Sequence, residues 1–375
     1  MTAFPERQSR PQGAAAAPLR VMVVDDSAVA RGFIRRWLEA EPGIEIVASL
    51  RTGREALDYL DRTHPDLVVL DVEMPDMDGI TALPLLLRKE PDLAVIMAST
   101  LTRRNAEVTL RALSLGALDC IQKPNTQGTI TSEDYRQALV AKIRALGTRA
   151  RRTVDPGRVL RALAGPKEPE ARSFALRPIP SALPRVLVIG SSTGGPQALN
   201  DVCSGLGTVI DEAPVLITQH MPPTFTTILA EHLGRVTGRL VREAEDGEPI
   251  RAGRIYVAPG HRHLKVERVK GQAVAVLDDS PPVHFCKPAV DILFSSAAAV
   301  FGGGVLGLVL TGMGNDGTRG GADIVNAGGR IIAQDEATSI VWGMPGSIAQ
   351  AGLCSQVLPL PQIAPAIARA FGRHA

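Results

Sequence analysis

Aromatic side chains are scarce in this chain of 375 residues: eight Phe, three Tyr and two Trp, or 3% of the total. Surfaces that stack nucleic-acid bases are built from such rings, so there is little here to make one. An excess of one charge is also lacking. Forty-one Lys and Arg stand against 39 Asp and Glu, a formal net charge of +2, which provides no basic field to attract a polyanion. Nucleic acid is therefore not expected as a partner. Cysteine is thin too. Cys120, Cys203, Cys286 and Cys354 are scattered, without a C-x-x-C pair or metal-ligand spacing, and read as isolated reduced thiols of a cytoplasmic protein. No stretch approaches the ~20 apolar residues of a membrane span. The alanine run at 14–17, after Arg7 and Arg10, is too short and weakly apolar for a secretory signal. Residues 1–18 read as a disordered extension, and the protein as a cytoplasmic monomer with no membrane insertion.

What is present is ordinary globular material, 45% hydrophobic and 21% charged, and long enough for two domains with separate cores. Short β-branched runs at 19–24, 44–50, 67–70, 94–99 and 117–121 alternate with helical patterns at 28–40, 53–63, 79–90, 104–115 and 132–146. That alternation predicts a five-stranded parallel sheet covered on both faces, a flavodoxin-like α/β domain over 19–147. An arginine- and proline-containing stretch without periodicity, 148–184, reads as a linker. From 185 to 373 a second strand–helix series predicts a doubly wound α/β domain.

Parallel sheets bind ligands at the carboxyl ends of their strands, and acidic residues stand there in the first domain. Phosphorylation of an aspartate needs a carboxylate to attack, a divalent cation to offset phosphate charge, and donors for the transferred oxygens. Asp25, Asp26 and Asp71 follow the first and third strands, Ser99 ends the fourth, and Lys123 follows the fifth. Singly, an Asp after a strand is more often a helix cap or turn former. The ordered set, in VMVVDDSAVAR, LVVLDVEMPDMDG and GALDCIQKP, resembles two-component receiver domains rather than a bare flavodoxin-like domain. The resemblance implies Asp71 as phosphoacceptor, Asp25 and Asp26 with Asp71 as Mg²⁺ ligands, and Ser99 and Lys123 as sensors of the phosphoryl group. Cys120 stands where receivers often carry an aromatic switch residue.

In the second domain Gly190-Ser191-Ser192-Thr193-Gly194 leaves a strand and opens a helix. It fits the G-x-S-x-G turn that exposes a nucleophilic serine, and fits equally a glycine-rich phosphate turn at a helix N-terminus. His220 ends the next strand, and Thr311-Gly312-Met313-Gly314-Asn315-Asp316-Gly317 follows a later one. Serine, histidine and aspartate at strand ends of one sheet make a credible triad, in an order unlike that of α/β-hydrolases.

IGSSTGGP, ITQHMPP, EAEDG, YVAPG, LTGMGNDG, AQDEA and WGMPG stand in one order. They resemble the chemotaxis receptor methylesterases of the CheB family over about 185–373. The resemblance implies Ser192 as nucleophile with Ser191 a bystander, His220 as general base, Asp316 as its orienter, and the backbone N–H of Met313 and Thr193 as oxyanion donors. It implies hydrolysis of glutamate methyl esters, and deamidation of glutamines, on methyl-accepting chemotaxis receptors, with no cofactor for the esterase step. A chemotaxis histidine kinase would phosphorylate Asp71, and the unphosphorylated receiver would pack over the active site. A His-Arg-Pro-Ser-Val-Asp-like segment of the family reads Cys286-Lys287-Pro288-Ala289-Val290-Asp291 here, with His284 nearby. Two other classes are a receiver coupled to a non-catalytic binding module, and a DNA-binding regulator, which the αβ alternation disfavours.

Overall fold

The computed structural model describes residues 17–100, 102–124, 131–153 and 174–372. Strands β1 (Leu19–Val24), β2 (Ile44–Leu50), β3 (Leu67–Asp71), β4 (Ala94–Ser99) and β5 (Asp119–Gln122) form an all-parallel sheet in the order β2-β1-β3-β4-β5. Central strands sandwiched between helices must be apolar on both faces, and Val21, Met22, Val23, Leu67, Val68 and Val69 are all buried. Helices α1 (Ala28–Glu39), α2 (Gly53–Tyr59), α3 (Gly79–Lys89), α4 (Arg103–Ser114) and α5 (Ser132–Thr153) cover the sheet. Ser27, Thr52, Asp78 and Thr102 each accept a backbone N–H at a helix start, which fixes where four of these helices begin. The winding reverses between β1 and β3, so the carboxyl ends of those two strands face the crevice that such a reversal opens.

The last helix runs further than the periodicity predicts. Residues 148–153 were expected in the linker, yet α5 continues to Thr153; half of this stretch is Arg, a good helix former, and it has no Gly or Pro to stop it. The remainder of the expected linker, 154–173, and most of the N-terminal extension, 1–16, lie outside the described residues. Residues 174–184 run along the second domain. Arg177 N–H donates to the Cys354 carbonyl at 2.8 Å, and the Arg330 guanidinium donates to the carbonyls of Pro180 and Ala182.

The second domain contains β6 (Val186–Ser191), α6 (Gly195–Gly205), α7 (Val209–Glu212), β7 (Val215–Gln219), α8 (Phe225–Thr237), β8 (Leu240–Glu243) and β9 (Arg254–Val257). A hairpin of β10 (His263–Val269) and β11 (Gln272–Asp278) follows, then α9 (Val290–Phe301), β12 (Val305–Val309), α10 (Thr318–Asn326), β13 (Arg330–Gln334), α11 (Met344–Gln350), β14 (Gln356–Leu358) and α12 (Leu360–Ala370). Seven strands pair in parallel in the order β14-β13-β12-β6-β7-β9-β8. The reversal here falls between β6 and β12. The elements not anticipated from periodicity include α7, α11 and α12 as well as three strands: β8 is a short half-exposed edge strand, β14 has three residues, and β10 turns from buried to exposed along its length.

The two domains touch through the face formed by α4, β5 and α5. Leu110 and Leu113 of α4 belong to an apolar cluster that continues into Leu229 of α8 and Leu199 of α6. Arg103 forms an ion pair with Glu231 at 2.8 Å, and the Gln197 side-chain amide donates to the Leu113 carbonyl.

Candidate active site

The turn after β6 is shaped by close packing. A Cβ on Gly195 would lie 2.0 Å from Gln219 Oε1, and Gly194 adopts a left-handed φ of 76°, so neither position accepts a side chain without rearrangement. Gln219, at the end of β7, accepts the Ser191 hydroxyl at 2.7 Å through Oε1 and donates to the Ser192 carbonyl at 2.9 Å through Nε2. Ser191 is thereby fully buried and committed to the scaffold, while Ser192 is only partly buried. On the far side of Ser192, an added Cβ on Gly312 would come within 2.8 Å of the Ser192 Cβ. The glycine leaves space for the serine side chain at the reversal between β6 and β12. Neither the Thr193 nor the Met313 backbone N–H has an acceptor among the described residues. Two free donors thus stand near the serine.

His220 emerges one residue past β7, and its Nε2 lies 2.8 Å from Asp316 Oδ2. An ionised carboxylate can only accept, so Nε2 carries a proton, and in the neutral ring Nδ1 presents a lone pair. Asp316 also accepts N–H groups from Val290 at 2.6 Å, Asp291 at 2.8 Å and Gly317 at 2.9 Å. The first two open α9, whose N-terminal dipole favours a negative charge. Asp291 answers by accepting Gly317 and Gly320 N–H groups at the start of α10. Two carboxylates thus cap each other's helices, fixing Asp316 where it faces His220. Burial opposes ionisation of Asp316, but His220 and these N–H groups outweigh it and hold the carboxyl below its usual range. Burial likewise disfavours a charged His220. The Asp316 hydrogen bond and the Cys286 sulfur prevail, and the imidazole is held above the ordinary value of 6.5.

The free face of His220 holds a residue whose role was open in the sequence. Cys286 Sγ lies 3.5 Å from His220 Nδ1, and among the described residues Ser192 Oγ makes no hydrogen bond to the imidazole. His284 is turned away and faces Asp291 at 3.4 Å. A raised imidazole pKa has a pH consequence. A base must be neutral to accept a proton, so activity depending on His220 should climb with pH through a limb above 6.5. The kcat/KM–pH profile of the unphosphorylated chain tests this, and a limb at or below the ordinary histidine value would mean that Asp316 and Cys286 do not hold the proton on His220.

The receiver reaches this site. Thr193 Oγ1 donates to Asp119 Oδ2 at 2.6 Å, and Asp119 also holds the Lys142 ammonium of α5. Asp119 was not among the sequence candidates. It sits beside Cys120 at the switch position, but nothing in its local sequence signals a contact 74 residues away. Cys120 itself is buried in the apolar cluster.

At the opposite reversal, Lys123 Nζ lies 2.7 Å from both Asp25 Oδ2 and Asp71 Oδ1. Burial pushes Asp71 up to about 6 despite this ammonium. Asp25, Asp26 and Asp71 bring carboxylate oxygens within 4.8 Å of one another, a hard-oxygen set that suits Mg²⁺. Ser99 is buried at the end of β4.

Comparison with known proteins follows the same division. A family model described as response regulator receiver domain matches residues 21–133, and one described as CheB methylesterase matches 187–367. The protein-glutamate methylesterase/protein-glutamine glutaminase of Rhodopseudomonas palustris (strain BisB5) is 57% identical over 363 residues, covering 94% of each chain. That of Nitrobacter hamburgensis (strain DSM 10229 / NCIMB 13809 / X14) is 57% identical over 370 residues, covering 95% of each. Among solved structures, the CheB methylesterase catalytic domain of Thermotoga maritima is 38% identical with a TM-score of 0.48, covering 50% of this chain and 99% of its own.

Proposed function

The chain belongs to the receiver-linked CheB methylesterase family, and from that membership we propose that Ser192, His220 and Asp316 hydrolyse glutamate methyl esters on chemotaxis receptors. The observation that carries the assignment is the pairing of His220 with the buried Asp316 at 2.8 Å, beside the turn that presents Ser192. Ser192 Oγ attacks the ester carbonyl as His220 Nδ1 takes its proton. The Thr193 and Met313 N–H groups face the developing oxyanion. His220 returns the proton to the departing methanol, and water then hydrolyses the glutamyl-enzyme by the same route. A glutamine side chain would lose ammonia in the same way. In the described arrangement Nδ1 is held by the Cys286 thiol, so the thiol must yield that nitrogen to Ser192 before turnover.

In the receiver, Asp71 is the phosphoacceptor and a chemotaxis histidine kinase the donor. Asp25, Asp26 and Asp71 would hold Mg²⁺, which when bound offsets the charge of the incoming phosphoryl group. Lys123 bridges Asp25 and Asp71, and a phosphoryl group on Asp71 would draw its ammonium away from Asp25. Ser99, at the end of β4, offers its hydroxyl to the same group. The contact through which the unphosphorylated receiver restrains the esterase is the Asp119–Thr193 hydrogen bond, one residue from the nucleophile.

The test is methanol release from methylated receptor cytoplasmic fragments, with and without a small-molecule phosphodonor and Mg²⁺. Couplings between sites are typically ~1–3 kcal/mol, so phosphorylation should raise the rate roughly 5–150-fold. Asp71→Ala should keep the basal rate and lose the stimulation. Asp119→Ala, which removes the acceptor for both Thr193 and Lys142, should raise the basal rate toward the stimulated one. An unchanged Asp119→Ala basal rate would remove this contact from the regulatory path.

A further inference from the structure

We propose that Cys286 is a site of reversible covalent oxidation, a reactive thiol whose modification silences the esterase by occupying the catalytic base. The inference rests on the reading of His220 as that base, and goes beyond it.

Reactive cysteines sit in partly exposed, electropositive surroundings with a base at hand. Cys286 is partly exposed and has a base at hand. Its sulfur lies 3.5 Å from His220 Nδ1, the nitrogen that has a lone pair in the neutral ring because Nε2 is committed to Asp316. Cys286, His220 and Asp316 together bring their sulfur, nitrogen and oxygen within 4.8 Å, the constellation that activates a thiol as readily as a hydroxyl. Among the described cysteines Cys286 alone is not buried. Burial pushes the thiols of Cys120, Cys203 and Cys354 up to about 12, so they serve as internal controls.

The local backbone holds the thiol in place. Val283 and Cys286 exchange backbone hydrogen bonds of 3.1 and 2.8 Å across a tight turn. His284 and Phe285 occupy that turn with left-handed φ values of 50° and 63°, which non-glycine residues adopt rarely. Phe285 is fully exposed and Cys286 is partly so, so the turn is open to solvent. A small peroxide can approach from there.

The chemistry closes without a further reactant. His220 Nδ1 takes the thiol proton, and the sulfur attacks one oxygen of hydrogen peroxide. An S–O bond forms as the O–O bond breaks, sulfur gives up two electrons to the peroxide, and the departing hydroxide collects the proton as water. The resulting sulfenic acid donates its hydroxyl to Nδ1 and keeps that nitrogen from Ser192. A dithiol reductant reverses the change through a mixed disulfide, releasing water and then the free thiol.

The experiment treats the full chain with hydrogen peroxide and follows two readouts. Sulfenic acid is trapped with dimedone and located by mass spectrometry, and methanol release is measured before treatment, after it, and after dithiothreitol. Trapping at Cys286 at least ten-fold faster than at Cys203, with a ten-fold or greater loss of activity that dithiothreitol restores, is the expected result. Cys286→Ser, compared with its own untreated activity, should resist the loss. Labelling of Cys286 no faster than Cys203, or equal inactivation of Cys286→Ser, overturns the proposal. If untreated protein releases no methanol, the functional reading fails instead, and the dimedone readout still decides whether Cys286 is the reactive thiol.

Discussion

Ser192→Ala is expected to lower kcat for methanol release by about 10⁴–10⁶-fold, the range for losing the nucleophile of a triad, with a residual rate from oxyanion donors and binding alone. The expectation rests on a division of labour between adjacent serines. Ser191 is buried and its hydroxyl is donated to Gln219 Oε1, whereas Ser192 is partly open beside the gap left by Gly312. Ser191→Ala is the matched control. It removes one buried neutral hydrogen bond, worth about 1 kcal/mol of stability, and should leave kcat within a few-fold of wild type. Steady-state kinetics on both variants, with thermal unfolding to separate stability from catalysis, distinguishes the two. A large loss of kcat in Ser191→Ala with full activity in Ser192→Ala would reverse the assignment.

Asp316→Asn is expected to have the next largest effect, a fall in kcat of about 10³–10⁴-fold. An amide in place of the carboxylate no longer favours the proton on Nε2, so His220 loses the tautomer that frees Nδ1. The same change faces an NH₂ group with some of the three backbone donors that Asp316 now accepts from Val290, Asp291 and Gly317. Hydrogen bonds to a charged group contribute about 1.5–3 kcal/mol each, so the variant should also be destabilised by a few kcal/mol. The signature is therefore double: lower kcat and a lower denaturation midpoint, with KM for receptor fragments little changed. Loss of stability with normal kcat would make Asp316 a helix cap and nothing more.

Much of the fold was legible in the chain because parallel strands buried on both faces leave an unmistakable trace. Runs such as Val21-Met22-Val23-Val24 and Val305-Leu306-Gly307-Leu308-Val309 are continuous, bounded and separated by helical periods. Among the elements that escaped, β8 and β14 are short and half-exposed, so burial wrote no pattern into them. The end of α5 escaped for another reason: charged helix formers look the same in an exposed helix and in a solvated linker.

The candidate residues of both sites were legible for the reason that makes such sheets good scaffolds. Functional groups gather at strand ends, and strand ends can be read from hydrophobic runs. The sequence by itself therefore determined two doubly wound sheets, which residues stand at their carboxyl edges, and which chemistry those residue types can support. What only the tertiary structure decided are contacts between positions remote in the chain. These are Asp316 capping α9, Cys286 rather than His284 lying against His220, and Asp119 of the receiver holding Thr193. Each depends on the packing of loops whose local sequence has no period, and distance in space between such segments is set by the whole fold rather than by any pattern a single strand or helix must obey.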